Sequence, residues 1–246
     1  MIFFLCTAAF AAGFFDAIAG GGGLIQLPAL LVGLSDKPVV NILGTNKFAA
    51  IFGTASAANR YRKGIQIDKK LLAAMLLPAF FGSMGGAQLA AKIPTDNLRV
   101  AVFIALIVIF IYTVLNPKLG HEERPRVNYW IAGTAALAIG FYDGIFGPGT
   151  GTFLMAVLVG VLGYAFLTAS AIAKFTNVAT NLAALIIFAK HGVVLWGIGI
   201  ALAISNVLGA LIGSHLAIKG GSPLVRKVFL LMTALLIAKV GYDVLG

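Results

Sequence analysis

Apolar residues run along this chain in long blocks with hardly a charge inside them: 2–34, 71–91, 98–115, 128–169 and 193–218 are uncharged or nearly so. A helix that crosses a bilayer needs about 20 such residues. Two glycine runs, Gly20-Gly21-Gly22-Gly23 and Gly147-Pro148-Gly149-Thr150-Gly151, interrupt apolar blocks that would otherwise continue. A helix does not pass comfortably through either. The pattern therefore predicts ten helical segments: 2–19, a short 23–34, 39–60, 71–91 and 98–115, then 128–147, a short 152–164, 165–189, 193–218 and 224–245. The only polar stretch, Asn116 to Val127 with Pro117, His121, Glu122, Glu123, Arg124 and Pro125, reads as a surface linker.

The second five segments repeat the first at an offset of 127 positions. Gly13 meets Gly140, Phe14 meets Phe141, Asp16 meets Asp143 and Gly20 meets Gly147 without a gap. The same register carries Gly22 onto Gly149, Lys47 onto Lys174, Gly82 and Gly86 onto Gly209 and Gly213, and Arg99 onto Arg226. Apolar coincidences arise by chance in so hydrophobic a chain, but matched Asp, Lys and Arg do not. The expected fold is an all-α polytopic membrane protein of two homologous repeats, 1–119 and 128–246, joined by a linker at 120–127. Each repeat has about five helical segments and a glycine-broken helix. If the short segments cross, each copy makes five crossings and the copies are inverted; if they are re-entrant, each makes four and the copies run parallel.

Composition agrees with lipid as the solvent. Hydrophobic residues make up 60% of the 246, the mean hydropathy is +1.01 and 11% are charged, against about 25% charged in soluble domains. The net charge of +10 does not point to nucleic acid, because the Lys and Arg residues gather at the ends of apolar runs, where they set orientation. An inverted arrangement with both termini outside puts eleven Lys and Arg in cytoplasmic loops and four outside; a parallel one gives nine against six. The positive-inside rule therefore favours inversion, in a multi-pass protein of the bacterial inner (plasma) membrane. The first segment lacks a basic n-region and its end reappears in the second half, so it reads as a permanent span and not a signal peptide. Cys6 alone supports neither a disulfide nor a metal cluster. No metal or cofactor is expected.

The candidate chemistry sits at the breaks. Backbone groups freed at membrane depth need protein or water partners, so breaks at matched positions of two repeats point to a binding site. The helix after each break turns its N-terminal amides toward the glycines, and such an end attracts anions. Gly20, Gly21, Gly22, Gly23, Gly147, Gly149, Thr150 and Gly151 are the candidate residues there. Four ionisable residues, Asp16, Lys47, Asp143 and Lys174, lie inside apolar runs, where each costs about 2.5 to 3.5 kcal/mol at a helix centre unless it has a partner. Two readings follow. Each Asp pairs with a Lys and only fixes the packing, or Lys47 and Lys174 attract a substrate anion while Asp16 or Asp143 carries a coupling proton. Asn46 adjoins Lys47, and Lys174, Asn177 and Asn181 share one helix face at i, i+3 and i+7, so these amides are candidate donors to an oxyanion. His215, which matches Gln88, is expected to be a packed hydrogen-bonding residue. An intramembrane enzyme is disfavoured: Ser214 and His215 are adjacent and so do not face each other on a helix, and no Gly-x-Ser-x-Gly or His-Glu-x-x-His pattern occurs.

At these same stretches the sequence resembles the sulfite exporter TauE/SafE family. The carriers are Gly13-Phe14-Phe15-Asp16 leading into Gly20 to Gly23 and Pro28, Gly44-Thr45-Asn46-Lys47-Phe48, Gly140-Phe141-Tyr142-Asp143-Gly144, Phe146 to Phe153, and Ala173-Lys174-Phe175-Thr176-Asn177 through Asn181. The likeness covers essentially the whole chain. It implies a permease for small anions, particularly sulfite, sulfoacetate or another organosulfonate, with substrate and direction varying within the family. The expected partners are a small anionic substrate, the lipid bilayer and protons as the coupling ion. Expected mechanism is alternating access about the two glycine breaks; a passive anion channel built on the same residues is the alternative. Small residues serve internal and intersubunit packing alike, so they leave the oligomeric state open.

Overall fold

A computed structural model describes the backbone of residues 1–90 and 96–245. The described residues are helical, without strands: α1 (Ile2–Ala19), α2 (Gly23–Gly33), α3 (Val39–Gly64), α4 (Lys69–Leu89), α5 (Asp96–Leu115), α6 (Tyr129–Ile145), α7 (Thr150–Gly160), α8 (Phe166–Lys190) and α9 (Trp196–Leu245). The protein is a polytopic membrane protein. α9 breaks at Gly221 (φ 63°, ψ −167°), between the predicted segments 193–218 and 224–245. Pro223 follows, where its missing N–H is no loss.

Local sequence explains several helix ends. The Asp68 carboxylate accepts from the Lys70 and Leu71 amides and starts α4, and Asn128 does the same for Trp130 and Ile131 at α6. Arg226 donates to the carbonyls of Thr113 (2.8 Å) and Asn116 (3.4 Å), covering acceptors that the end of α5 leaves free.

α2 and α7 have 11 residues each, about 16 Å at 1.5 Å per residue, half a membrane. α2 folds back along α1, so that Gly33 at its end packs against Leu5 and Met1. α7 folds back along α6, and the chain after it pairs with the linker: Arg124 N–H donates to Gly163 O and Arg126 N–H to Leu162 O, both at 2.9 Å. The two hairpins open at opposite ends of the molecule. At the α1–α2 end, Leu195 N–H donates to Thr45 Oγ1 of α3 (3.0 Å). At the other end, Phe166 N–H donates to Gly120 O (2.8 Å) and Leu167 N–H to Ser222 Oγ (3.2 Å).

α1 lies along the first limb of α9 and α6 along α4, while α3 and α8 occupy the centre and touch each other. The α1–α9 and α6–α4 crossings are close: a Cβ on Gly13 would strike the carbonyl oxygen of Asn206, and one on Gly140 that of Ala79. Both members of the first contact lie 127 positions from those of the second. The interior packs Tyr61, Phe166 and Phe229 with Leu, Ala and Met side chains. Phe3, Phe81, Trp130, Ile200 and Leu231 face outward, as lipid-facing side chains do.

Candidate functional site: a polar cavity between two helix breaks

The backbone at the breaks is one that only glycine adopts freely: φ is 80° and 91° at Gly20 and Gly21, and 95° and 85° at Gly147 and Gly149. The breaks abut. A Cβ on Gly20 would lie 2.6 Å from the carbonyl carbon of Gly151, and one on Gly23 would lie 3.2 Å from Pro148 Cα. Carbonyls freed where α1 ends are recovered by hydroxyls from the central helices: Tyr61 donates to Ala17 O and Ser170 to Ile18 O, each at 2.8 Å. At the second break the Tyr142 hydroxyl donates to Pro148 O.

The four intramembrane charges form two pairs, each joining one half of the chain to the other. Lys174 Nζ donates to Asp16 Oδ2 at 2.8 Å. Lys47 Nζ lies 2.7 Å from Asp143 Oδ2, a close charge contact without hydrogen-bond geometry, so that carboxylate oxygen still lacks a directed donor. The other carboxylate oxygens reach the short helices. Asp16 Oδ1 accepts from the N–H of Gly22, the N-cap of α2, at 3.3 Å, and Asp143 Oδ1 accepts from the hydroxyl of Thr150, the first residue of α7, at 2.7 Å. The anion-attracting ends of α2 and α7 therefore already hold carboxylates, those of the protein itself. The pairs differ in access: the side chains of Lys47 and Asp143 are 4% and 6% exposed, whereas Lys174 is fully enclosed and Asp16 is 21% exposed.

These groups surround a cavity of about 50 Å³, room for roughly three to five water-sized atoms. Of the residues singled out in the sequence, Asp16, Gly21, Gly22, Gly23, Asn46, Lys47, Asp143, Gly147, Gly149, Thr150, Gly151, Asn177 and Asn181 line it. Gly20 and Lys174 stand one layer behind, Gly20 against Gly151 and Lys174 against Asp16. Gln26, Thr54 and Asn206, with Ala12 and Ala50, complete the lining. Asn206 Nδ2 donates to Gln26 Oε1 at 2.8 Å and to Ala9 O at 3.2 Å, and Asn181 Nδ2 to Thr54 Oγ1 at 3.4 Å.

Sequence reasoning missed Gln26 and Asn206. Their signal was present, a single amide inside each of the apolar runs 23–34 and 193–218, where an unpartnered polar group is costly. Gln26 Nε2, Asn46 Oδ1 and Asn177 Oδ1 are buried and have no protein partner, which leaves hydrogen-bonding capacity for whatever fills the cavity. Among the described residues no group of three His, Cys, Asp or Glu is placed to hold a metal ion. His215 is not packed as its sequence position suggested; it is exposed, while the neighbouring Ser214 is buried and donates to Ala210 O.

Residues 5–240 match the model of the family described as Sulfite exporter TauE/SafE. Similar proteins include the probable membrane transporter protein YfcA of Escherichia coli K12, 40% identical over 97% of this chain and 89% of that protein. The probable membrane transporter protein ORF9 of a Sinorhizobium species is 37% identical over 95% and 89%. A probable membrane transporter protein of Haemophilus influenzae is 35% identical over 97% and 94%. No solved structure matches the chain.

Proposed function

The chain belongs to the sulfite exporter TauE/SafE family and is a membrane transporter; we propose that it is a secondary permease which binds a small oxyanion, sulfite or an organosulfonate, in the central cavity together with a proton. The observation that carries this reading is the pair of Lys–Asp contacts at the N-terminal ends of α2 and α7. With all four groups ionised the site is neutral. Adding a monoanion would enclose a net negative charge, which is heavily penalised away from water. Protonation of Asp16 or Asp143 restores neutrality and releases a Lys from its carboxylate. The substrate then takes over the donors that the carboxylate used, the Lys ammonium and the Gly22 N–H or the Thr150 hydroxyl, beside the side-chain amides of Asn46, Asn177 and Asn181 in the cavity wall. Substrate loading and proton loading thus become one event.

Alternating access requires two halves that exchange roles. Hairpins that open at opposite ends, and contacts that recur 127 positions apart, support reading the halves as inverted copies. The end that carries the linker holds most of the loop Lys and Arg residues, which supports placing it in the cytoplasm and both termini outside.

The test is a ligand-dependent thermal shift of the purified protein with sulfite, thiosulfate, sulfoacetate, taurine, sulfate and acetate. A true ligand at a hundred times its Kd stabilises by about 2.7 kcal/mol. One sulfur oxyanion is expected to do so, and to lose its effect in Lys47→Ala and Lys174→Ala. No shift with any of them would remove the organosulfur assignment, and an undiminished shift in both variants would remove the role of the lysines.

A further inference from the structure

A second polar pocket, of about 420 Å³, opens between α3 and the first limb of α9. Ser56, Asn59, Arg60 and Lys63 stand at i, i+3, i+4 and i+7 and present one face of α3 to it; Leu211 and His215 close it from α9. Its charged and amide groups are donors, while the Ser56 hydroxyl spends its proton on Phe52 O (2.8 Å). Arg60 is half-buried, and its Nη1 lies 3.4 Å from His215 Nδ1. A guanidinium only donates, so Nδ1 accepts and the ring proton sits on Nε2, a further donor. Asn59 Oδ1 accepts from Arg62 at 3.1 Å, which leaves the Asn59 amide protons free for the pocket. No Asp or Glu lines it.

The fold does not require this basic set. At the offset of 127, Lys63 meets another lysine, Lys190, but Ser56, Asn59, Arg60 and His215 meet Ala183, Ile186, Ile187 and Gln88, although α8 packs on α4 as α3 packs on α9. The pocket lies at the end of the molecule that carries the linker, where Gly64 ends α3 beside Ile218. One turn deeper the surface is apolar and outward-facing, with Phe52, Ile204 and Leu208 all exposed. A cluster of cationic donors above an apolar wall suits an amphipathic anion and not a free one.

We propose that this pocket holds the phosphodiester headgroup of an anionic membrane phospholipid, with its acyl chains lying along Phe52 and Leu208. Basic pockets between membrane helices on the cytoplasmic side recognise such headgroups. The site is separate from the central cavity and does not depend on what that cavity carries.

Native mass spectrometry of the detergent-solubilised full-length protein tests it, with phosphatidylglycerol, phosphatidylcholine and inorganic phosphate each added alone. The wild type is expected to retain phosphatidylglycerol in preference to phosphatidylcholine. The double variant R60Q/K63Q should bind phosphatidylglycerol roughly thirty-fold more weakly, from the loss of two interfacial cations. The charge-keeping R60K/K63R pair should retain the lipid, which separates headgroup recognition from folding, and Lys190→Gln at the opposite end should change nothing. Equal retention of phosphatidylglycerol by wild type and R60Q/K63Q would overturn the proposal. So would retention of both lipids alike, or binding of inorganic phosphate as tight as that of the lipid.

Discussion

At the scale of single residues, the molecule is governed by four charges that no bilayer solvates. Lys47 and Asp143 are almost fully buried, so deleting one leaves the other bare. Lys47→Met is expected to destabilise the protein by about 3–5 kcal/mol. Lys47→Met combined with Asp143→Leu should recover most of that loss, because no uncompensated charge remains. Thermal unfolding of both variants checks it. The same experiment on Lys174→Met should give a smaller effect, since the carboxylate it leaves, that of Asp16, is partly open to the cavity and water screens it. The sequence showed which residues carry charge at membrane depth and that they are equivalent in pairs. It did not show that Lys47 meets Asp143 and Lys174 meets Asp16, because an offset relates positions to their counterparts and says nothing of which side chains touch. Gln26 and Asn206 escaped for the same reason: each is one amide in an apolar run, and only the contact between them makes a site.

At the scale of elements, the glycines divide into those that shape the chain and those that let helices approach. Gly140 belongs to the second kind, since a methyl group there would meet the carbonyl oxygen of Ala79. Gly140→Ala is expected to cost about 1–3 kcal/mol through overpacking. Gly197, in α9, has nothing within 4 Å of its Cβ position, so Gly197→Ala should stabilise by about 0.5–1 kcal/mol through lower backbone entropy. Comparing the two melting temperatures decides the matter, and a Gly140→Ala protein as stable as wild type would contradict the crossing geometry. Helix positions were legible because apolar runs and glycine breaks are local signals; the predicted 2–19 coincides with α1, and 224–245 with the limb after Gly221. The return of α2 along α1 was not legible, because it depends on Gly33 finding Leu5 across the intervening turn. His215 was misplaced for a related reason: a polar residue in an apolar run reads as buried, but at the end of a long helix it reaches the interface beside Arg60.

At the scale of the whole molecule, the proposed inverted arrangement would put the linker end, with Arg60, Lys63, Lys70 and Lys118, on the cytoplasmic side and Lys37 and Lys190 outside. Single cysteines at Lys118 and at Lys37, in a Cys6→Ser background, are expected to react with an impermeant thiol reagent from opposite faces of sealed vesicles. Reaction of both from one face would refute the inverted arrangement. The central claim, that anion and proton load one neutral site together, is tested most directly by uptake of labelled sulfite, or of whichever anion stabilises the protein, into proteoliposomes with and without an imposed pH gradient. Saturable uptake that a pH gradient of either sign drives toward the alkaline side, and that fails in both Lys47→Ala and the double variant Asp16→Asn/Asp143→Asn, is the expected result. Saturable uptake indifferent to the pH gradient in the wild type and undiminished in Asp16→Asn/Asp143→Asn would contradict it.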